Sequence, residues 1–177
     1  MNSETSGDNS DGPLPADQCP QPPHSMTDEL GREIDIRLYD DDIDELVTMY
    51  EKMDTYDRAQ GLPPRTHPRV VSWLETLIEE GVNLVAWHDD VVVGHAAIVP
   101  MEDEKWELVI FIRSDYQKVH IGSGLMECLL GYAHAHDIET IWLTVERHNN
   151  IAINLYRRVG FERVSEESLY HMERSLR

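Results

Sequence analysis

Apolar residues recur along this chain with two periods, and the period changes several times. Ile34-Asp-Ile-Arg-Leu-Tyr39 alternates apolar and polar positions, which is the spacing of a half-buried strand. Ile43, Leu46, Val47 and Tyr50 then recur at helical spacing behind Asp42-Ile-Asp-Glu45, a start resembling a capping box. Gly61-Leu-Pro-Pro64 breaks the pattern. Val70, Leu74, Leu77 and Ile78 predict a second helix, ended by Gly81. Asn83–Trp87 and Val91–Val99 read as two strands joined by a hairpin turn at His88-Asp-Asp90. Trp106–Ile112 is predicted as a further strand, and Ile121, Leu125, Cys128, Leu129 and Tyr132 as the stripe of a third helix. Thr140–Val145 reads as a strand, Ile151–Val159 as a fourth helix, and Arg163–Arg177 holds a final strand. The order β-α-α-β-β-β-α-β-α-β predicts an α/β fold, a mixed sheet of roughly six to seven strands flanked by about four helices. Trp106 to Val145 should form a right-handed crossover between parallel strands.

Composition changes this picture at the N-terminus. Met1 to His24 is Ser, Asp, Gly, Pro and Gln with almost nothing to bury, so residues 1–31 are expected to be a disordered tail and residues 32–177 the single domain. Met26 is a candidate true start. Cys19 then falls in the tail and Cys128 inside a predicted helix, which is no disulfide framework.

The formal net charge is −19. The lysines are Lys52, Lys105 and Lys118, so most cations are arginine. An acid-rich, lysine-poor surface suits a salt-filled cytoplasm, where screening removes self-repulsion, and points to a salt-loving source. It argues against nonspecific nucleic-acid binding, which needs a basic face, and against docking on anionic membranes. No apolar run approaches a membrane span and no basic, apolar leader opens the chain, so a cytoplasmic location is expected.

The chemistry concentrates between Trp106 and Phe161. A strand, the turn Arg113-Ser-Asp-Tyr-Gln117 and the segment Lys118-Val-His-Ile-Gly-Ser-Gly124 lead into the third helix. Unpaired N–H groups and the helix dipole make such a helix start a place for phosphate. Val119, Ile121, Gly122 and Ser123 offer backbone N–H groups there, and Lys118 and a protonated His120 can add positive charge. The Gly-Lys-Ser/Thr ending of a nucleotide-binding phosphate loop is missing. His134 and His136 are two apart on a helix and share no face, so no metal site is expected.

Gln117-Lys-Val-His-Ile-Gly122, followed by Asn149…Tyr156…Gly160-Phe161 after the next strand, resembles the GCN5-related N-acetyltransferase superfamily. The resemblance covers roughly Ile34 to Met172. It implies the GNAT fold, acetyl-coenzyme A as cosubstrate without a metal, and transfer of the acetyl group to a primary amine by direct attack. The acceptor is a protein lysine or a small amine, and a homodimer is compatible with it. The alternative on the same fold is a catalytically weak acyl-coenzyme A-binding regulatory module.

By the same resemblance, the pantetheine pairs with the backbone of Ile110, Phe111 and Ile112, the pyrophosphate lies over residues 118–123, and Gln117 also binds the cofactor. Asn149 stands where family members touch coenzyme A, and it is also a natural N-cap. Tyr156 matches the usual general acid, although it shares a helical face with Ala152 and Val159. Glu107 is the candidate base; the histone-acetyltransferase branch places its glutamate here, offset by one residue that a bulge would absorb. In the ribosomal branch the glutamate lies on the next strand, where this chain has Thr144; Glu146 is nearby. His120 stands where the family has its first glycine, a position that calls for unusual torsions. The acceptor is expected to meet the first two helices and loops such as Gln60–Arg65.

Overall fold

One twisted sheet of eight strands runs through the molecule in the order β1-β2-β3-β4-β5-β6-β8-β7. This computed structural model describes residues 12–54, 62–165 and 169–177. Its strands are β1 (His24–Thr27), β2 (Glu33–Leu38), β3 (Val82–His88), β4 (Val91–Pro100), β5 (Lys105–Ile112), β6 (Thr140–Glu146), β7 (Glu162–Arg163) and β8 (Leu169–Ser175). The helices are α1 (Ile43–Glu51), α2 (His67–Glu80), α3 (Ile121–Ala135) and α4 (Asn150–Arg158). The sheet therefore exceeds the expected strand number. β1 was hidden in the supposed tail, and the final strand is a pair, β7 against β8.

Local chemistry sets these boundaries. Asp42 caps α1, its Oδ1 accepting from the Glu45 N–H at 3.3 Å, and Asn149 caps α4 by accepting from the Ala152 N–H at 3.2 Å. Pro68 lies in the first turn of α2, where its missing N–H costs nothing, and Gly81 ends that helix. Alternation along β4, interrupted by a register shift opposite Ala86 and Trp87, puts Val93, Ala96 and Ile98 in the core on one face of the sheet and Val92 and Ala97 in the core on the other. The first face packs on α3, α4 and the N-terminal segment. The second packs on α1 and α2, through Leu46, Met49, Tyr50, Val70 and Leu74.

The expectation of a disordered tail over residues 1–31 is corrected from residue 12 onward; residues 1–11 lie outside the described residues. Ala16 and Cys19 are buried in the main core, and β1 pairs antiparallel with β2. Two glycines of α3 make room for this segment. A Cβ at Gly131 would collide with the Pro20 carbonyl oxygen, and one at Gly124 with the Met26 Sδ. These glycines lie seven residues apart, so they share one helix face, and the N-terminal segment runs along it. A chain starting at Met26 would lack the Ala16 and Cys19 contacts.

The feature that matters for function is where the sheet splits. β5 and β6 are parallel, but they pair only over Lys105↔Thr140, Trp106↔Ile141 and Glu107↔Trp142. β5 continues to Ile112, still paired with β4 on its other side. From Leu108 onward its outer edge faces open space instead of a strand.

Candidate active site

That split is the mouth of a cleft of about 730 Å³. One wall is the free edge of β5 from Glu107 to Ile112, and the other is formed by Thr144 and Glu146 of β6 and by α4. Of the residues expected at the site, the cleft brings together Glu107, Ile110, Phe111, Ile112, Gln117, Lys118, His120, Gly122, Ser123, Asn149 and Tyr156. Val119 and Ile121 are not on its walls. The Val119 side chain packs against the core and Ile121 is fully buried, so only their backbone can serve a ligand.

The start of α3 closes one end of the cleft. His120 is its N-cap and sits at φ 71°, ψ 4°, the left-handed region in which glycine is at ease. Lys118 is also left-handed, at φ 61°. The first helical N–H groups, of Ile121, Gly122 and Ser123, precede the first intrahelical bond, Gly124 N–H to the His120 carbonyl at 3.1 Å. Gln117 braces the loop by donating from Nε2 to the Ile112 carbonyl at 3.0 Å. The β1–β2 turn braces it from behind. The Glu29 N–H donates to the Val119 carbonyl at 3.4 Å, and the Glu29 carboxylate lies 3.3 Å from His120 Nδ1. Lys118 and Arg158 bring cationic side chains to the cleft, and His120 brings an imidazole.

Carboxylates mark the other part. Glu107 is half-buried at the vertex of the split, and burial raises its pKa above the usual carboxylate value, which makes it a stronger base when ionised. Glu146 lines the same cleft from the end of β6, four residues past Trp142, with His148 Nε2 at 3.0 Å from Glu146 Oε2. Tyr156 projects from α4 with 9% of its surface exposed. Burial pushes its phenol up to about 12, so it stays protonated over any working pH. No hydrogen bond joins its hydroxyl to another described residue, and Tyr156 lines the cleft.

Behind Phe111 lies a buried polar chain that sequence reading missed. Asn83 Nδ2 donates to the Leu77 and Gly81 carbonyls at the end of α2, at 2.7 and 3.3 Å. Its Oδ1 is left to accept from the His95 Nε2–H at 2.9 Å. His95 Nδ1 is then bare and accepts from the Tyr50 hydroxyl of α1 at 2.7 Å. Burial lowers the His95 pKa to about 3, which keeps the ring neutral as this network requires. Tyr50 also packs edge-on to Phe111 and Trp73, with ring centroids 5.7 and 5.2 Å away. The chain thus fixes α1, α2 and Phe111 of the cleft wall to one another.

Leu62, within the expected acceptor loop, is on the wall, and wall residues that went unnoticed include Met53 on the α1 side and Arg158 on α4. Of the expected acceptor loop, residues 60 and 61 lie outside the described residues. Among the described residues no group of three or more His, Cys, Asp or Glu side chains is arranged to hold a metal, and no helix is long and apolar enough to cross a membrane.

This fold and this cleft have relatives. Residues 44–161 match the sequence model of the acetyltransferase (GNAT) family. The chain belongs to that family. The [ribosomal protein bS18]-alanine N-acetyltransferase of Salmonella typhimurium is 29% identical over 93 residues, 52% of this chain and 63% of that enzyme. The chain spans less than two thirds of the length of the curated relatives it matches. Among solved structures, the GNAT domain of S. lividans PAT superposes with a TM-score of 0.74 at 18% identity, over 86% of this chain and 96% of that one. The PaiA N-acetyltransferase of Thermoplasma acidophilum, solved in complex with coenzyme A, gives 0.63 at 19% identity, over 80% and 98%. At such identities the likeness is one of fold.

Proposed function

We propose that this GNAT domain is an acetyl-coenzyme A-dependent N-acetyltransferase acting on a primary amine. The observation that carries the reading is the split after Glu107. It leaves the edge of β5 free to pair with an extended ligand, directly beside a helix start with unpaired N–H groups and no bulk at Gly122. An acyl-coenzyme A has that shape, an amide-bearing arm joined to a diphosphate. The α3 start and Lys118 suit its phosphates, and the β5 edge suits its amides.

The reaction then uses groups already in the cleft. The acceptor's ammonium gives a proton to Glu107, whose raised pKa suits a base. The freed amine attacks the thioester carbonyl carbon, a C–N bond forms and the C–S bond breaks. The leaving thiolate takes a proton from the Tyr156 hydroxyl, the new amide nitrogen gives up its second proton to solvent, and Tyr156 and Glu107 return to their starting states by exchanging one proton each with solvent. No covalent enzyme intermediate is needed. The acceptor is a protein lysine or a small amine, and carboxylates at its end of the cleft favour a cationic one.

The acidic surface supports work in a salt-rich cytoplasm. Melting curves from dilute buffer to molar KCl test that part, because charges repel over about 10 Å at 0.1 M salt and less above it; equal stability throughout would remove it. The activity is tested by comparing acetylated proteins and metabolites with and without this protein in high salt. Acetyl-coenzyme A that raises the melting temperature without any acetylated product would instead favour the regulatory acyl-coenzyme A-binding module.

A further inference from the structure

On β6, Ile141, Leu143 and Val145 are buried while Thr140, Trp142, Thr144 and Glu146 are only half-buried, so one face of this strand is open. Ladder register puts a particular row of side chains on that face. Glu107 of β5 is opposite Trp142 of β6, Trp142 is opposite Glu173 of β8, and Glu173 is opposite Glu162 of β7. Registered residues project from the same face. Adjacent strands are about 4.8 Å apart, so Glu107 and Glu173 stand roughly 10 Å from each other with the indole between them.

Past Glu107, this row borders a second cavity, of about 650 Å³. Its floor is aromatic. Trp142 stacks on His171, with ring centroids 5.9 Å apart and planes 18° from parallel. Its rim is anionic, with Glu102, Asp103 and Glu173 set against Lys105, which is ion-paired with Glu173. Glu102 and Asp103 have no ion-pair partner among the described residues.

Resting on the acetyl-transfer reading above, we propose that this cavity is a second acceptor subsite. It takes a cationic group carried about 7–10 Å from the reacting amine, over the indole face of Trp142 and among the carboxylates of Glu102, Asp103 and Glu173. The acceptor class is a linear amine bearing a second positive charge. The attacking nitrogen is at Glu107, the aliphatic spacer crosses Trp142, and the distal ammonium lies in the cavity. An aromatic face with carboxylates around it recognises an ammonium by cation–π attraction and charge together. A free diamine or polyamine carries this chemistry, and so does a lysine next to another basic side chain.

The test compares kcat/KM, from thiol release at one fixed salt concentration, for n-hexylamine, 1,6-diaminohexane and spermidine. It adds two short peptides holding one lysine, flanked by arginine or by alanine. Wild type should prefer the doubly charged acceptor by about tenfold or more, mainly through KM, and the two series show which source is used. In Glu173→Gln and Trp142→Leu that preference should fall toward one, with the acetyl-coenzyme A thermal shift showing that each variant is folded. A wild-type ratio near one, or a ratio that neither variant changes, overturns the subsite. Calorimetric binding of spermidine separates the two readings. Binding that weakens in Glu173→Gln supports the subsite even without thiol release, in which case the acetyl-transfer reading fails alone.

Discussion

Glu107 faces Trp142 across the last rung at which β5 and β6 are paired. The carboxylate therefore sits at the vertex of the opening, held on a strand that is hydrogen-bonded to β4 along its whole other side. A base placed there needs no loop closure to reach a group bound along the β5 edge. Burial raises its pKa, so the ionised form gains proton affinity.

Glu107→Gln keeps size and hydrogen bonding and removes the basicity. Turnover should fall by about 10²–10⁴. Raising the pH should restore part of the loss, because more acceptor is already neutral. Initial rates from pH 6 to 10, with acetyl-coenzyme A binding measured alongside, check this. Binding should be retained, and near wild-type rates at every pH would remove Glu107 from its role and turn attention to Glu146.

Tyr156→Phe should cost less than Glu107→Gln, since a thiolate can also take its proton from water. With the phenol near 12, wild type should show no alkaline limb from this residue below about pH 11, one unit short of that value. A pH–rate profile that falls in wild type near pH 10 and loses that fall in Tyr156→Phe would contradict the burial-raised pKa.

Gly122→Asp probes the phosphate end. A Cβ at this position lies 3.2 Å from Leu155 Cδ2, so the side chain has to push against α4, and its charge opposes a phosphate. The thermal shift given by acetyl-coenzyme A should disappear while the far-UV circular dichroism stays native. A folded variant with the wild-type shift would place the diphosphate elsewhere.

His95 should set part of the acid stability. Its pKa falls from about 6.5 when unfolded to about 3 when folded. The stability tied to the neutral buried ring is complete above pH 6.5 and is lost progressively as pH falls toward 3. The slope from this one proton is about 1.4 kcal/mol per pH unit. Denaturant unfolding at pH 7.5, 6 and 5 in constant salt measures it. His95→Gln should be less stable at pH 7.5 yet flatter by that one proton, and an unchanged slope would mean that the ring titrates normally.

The elements around the site were legible because each carries a local signal. Helical stripes gave α1 to α4, Asp42 and Asn149 gave two caps, and Gly81 gave a helix end. β1 was not legible. Its strand His24–Thr27 is short and sits in a Pro-, Ser- and Gly-rich stretch, where average composition masks a few well-placed apolar residues. The matching signal lay a hundred residues away, in Gly124 and Gly131 of α3. The split between β5 and β6 was also invisible, since periodicity predicts strands but not how many rungs two strands share. The Tyr50–His95–Asn83 chain joins α1 to the β3–β4 hairpin, which is remote from it in sequence, and nothing local marks any of its members. His120 was the reverse case, a single residue whose departure from glycine correctly flagged a left-handed backbone position.

The most direct measurement is a product balance. Purified protein in high salt is given acetyl-coenzyme A labelled in the acetyl group, with an amine panel spanning monoamines, polyamines and lysine peptides. Free thiol and labelled amide are then counted in the same samples. The account predicts one labelled N-acetyl product for each thiol released, with at least one acceptor well above the no-enzyme rate. Thiol release without amide, or no release above background for any amine while the cofactor binds, would contradict it.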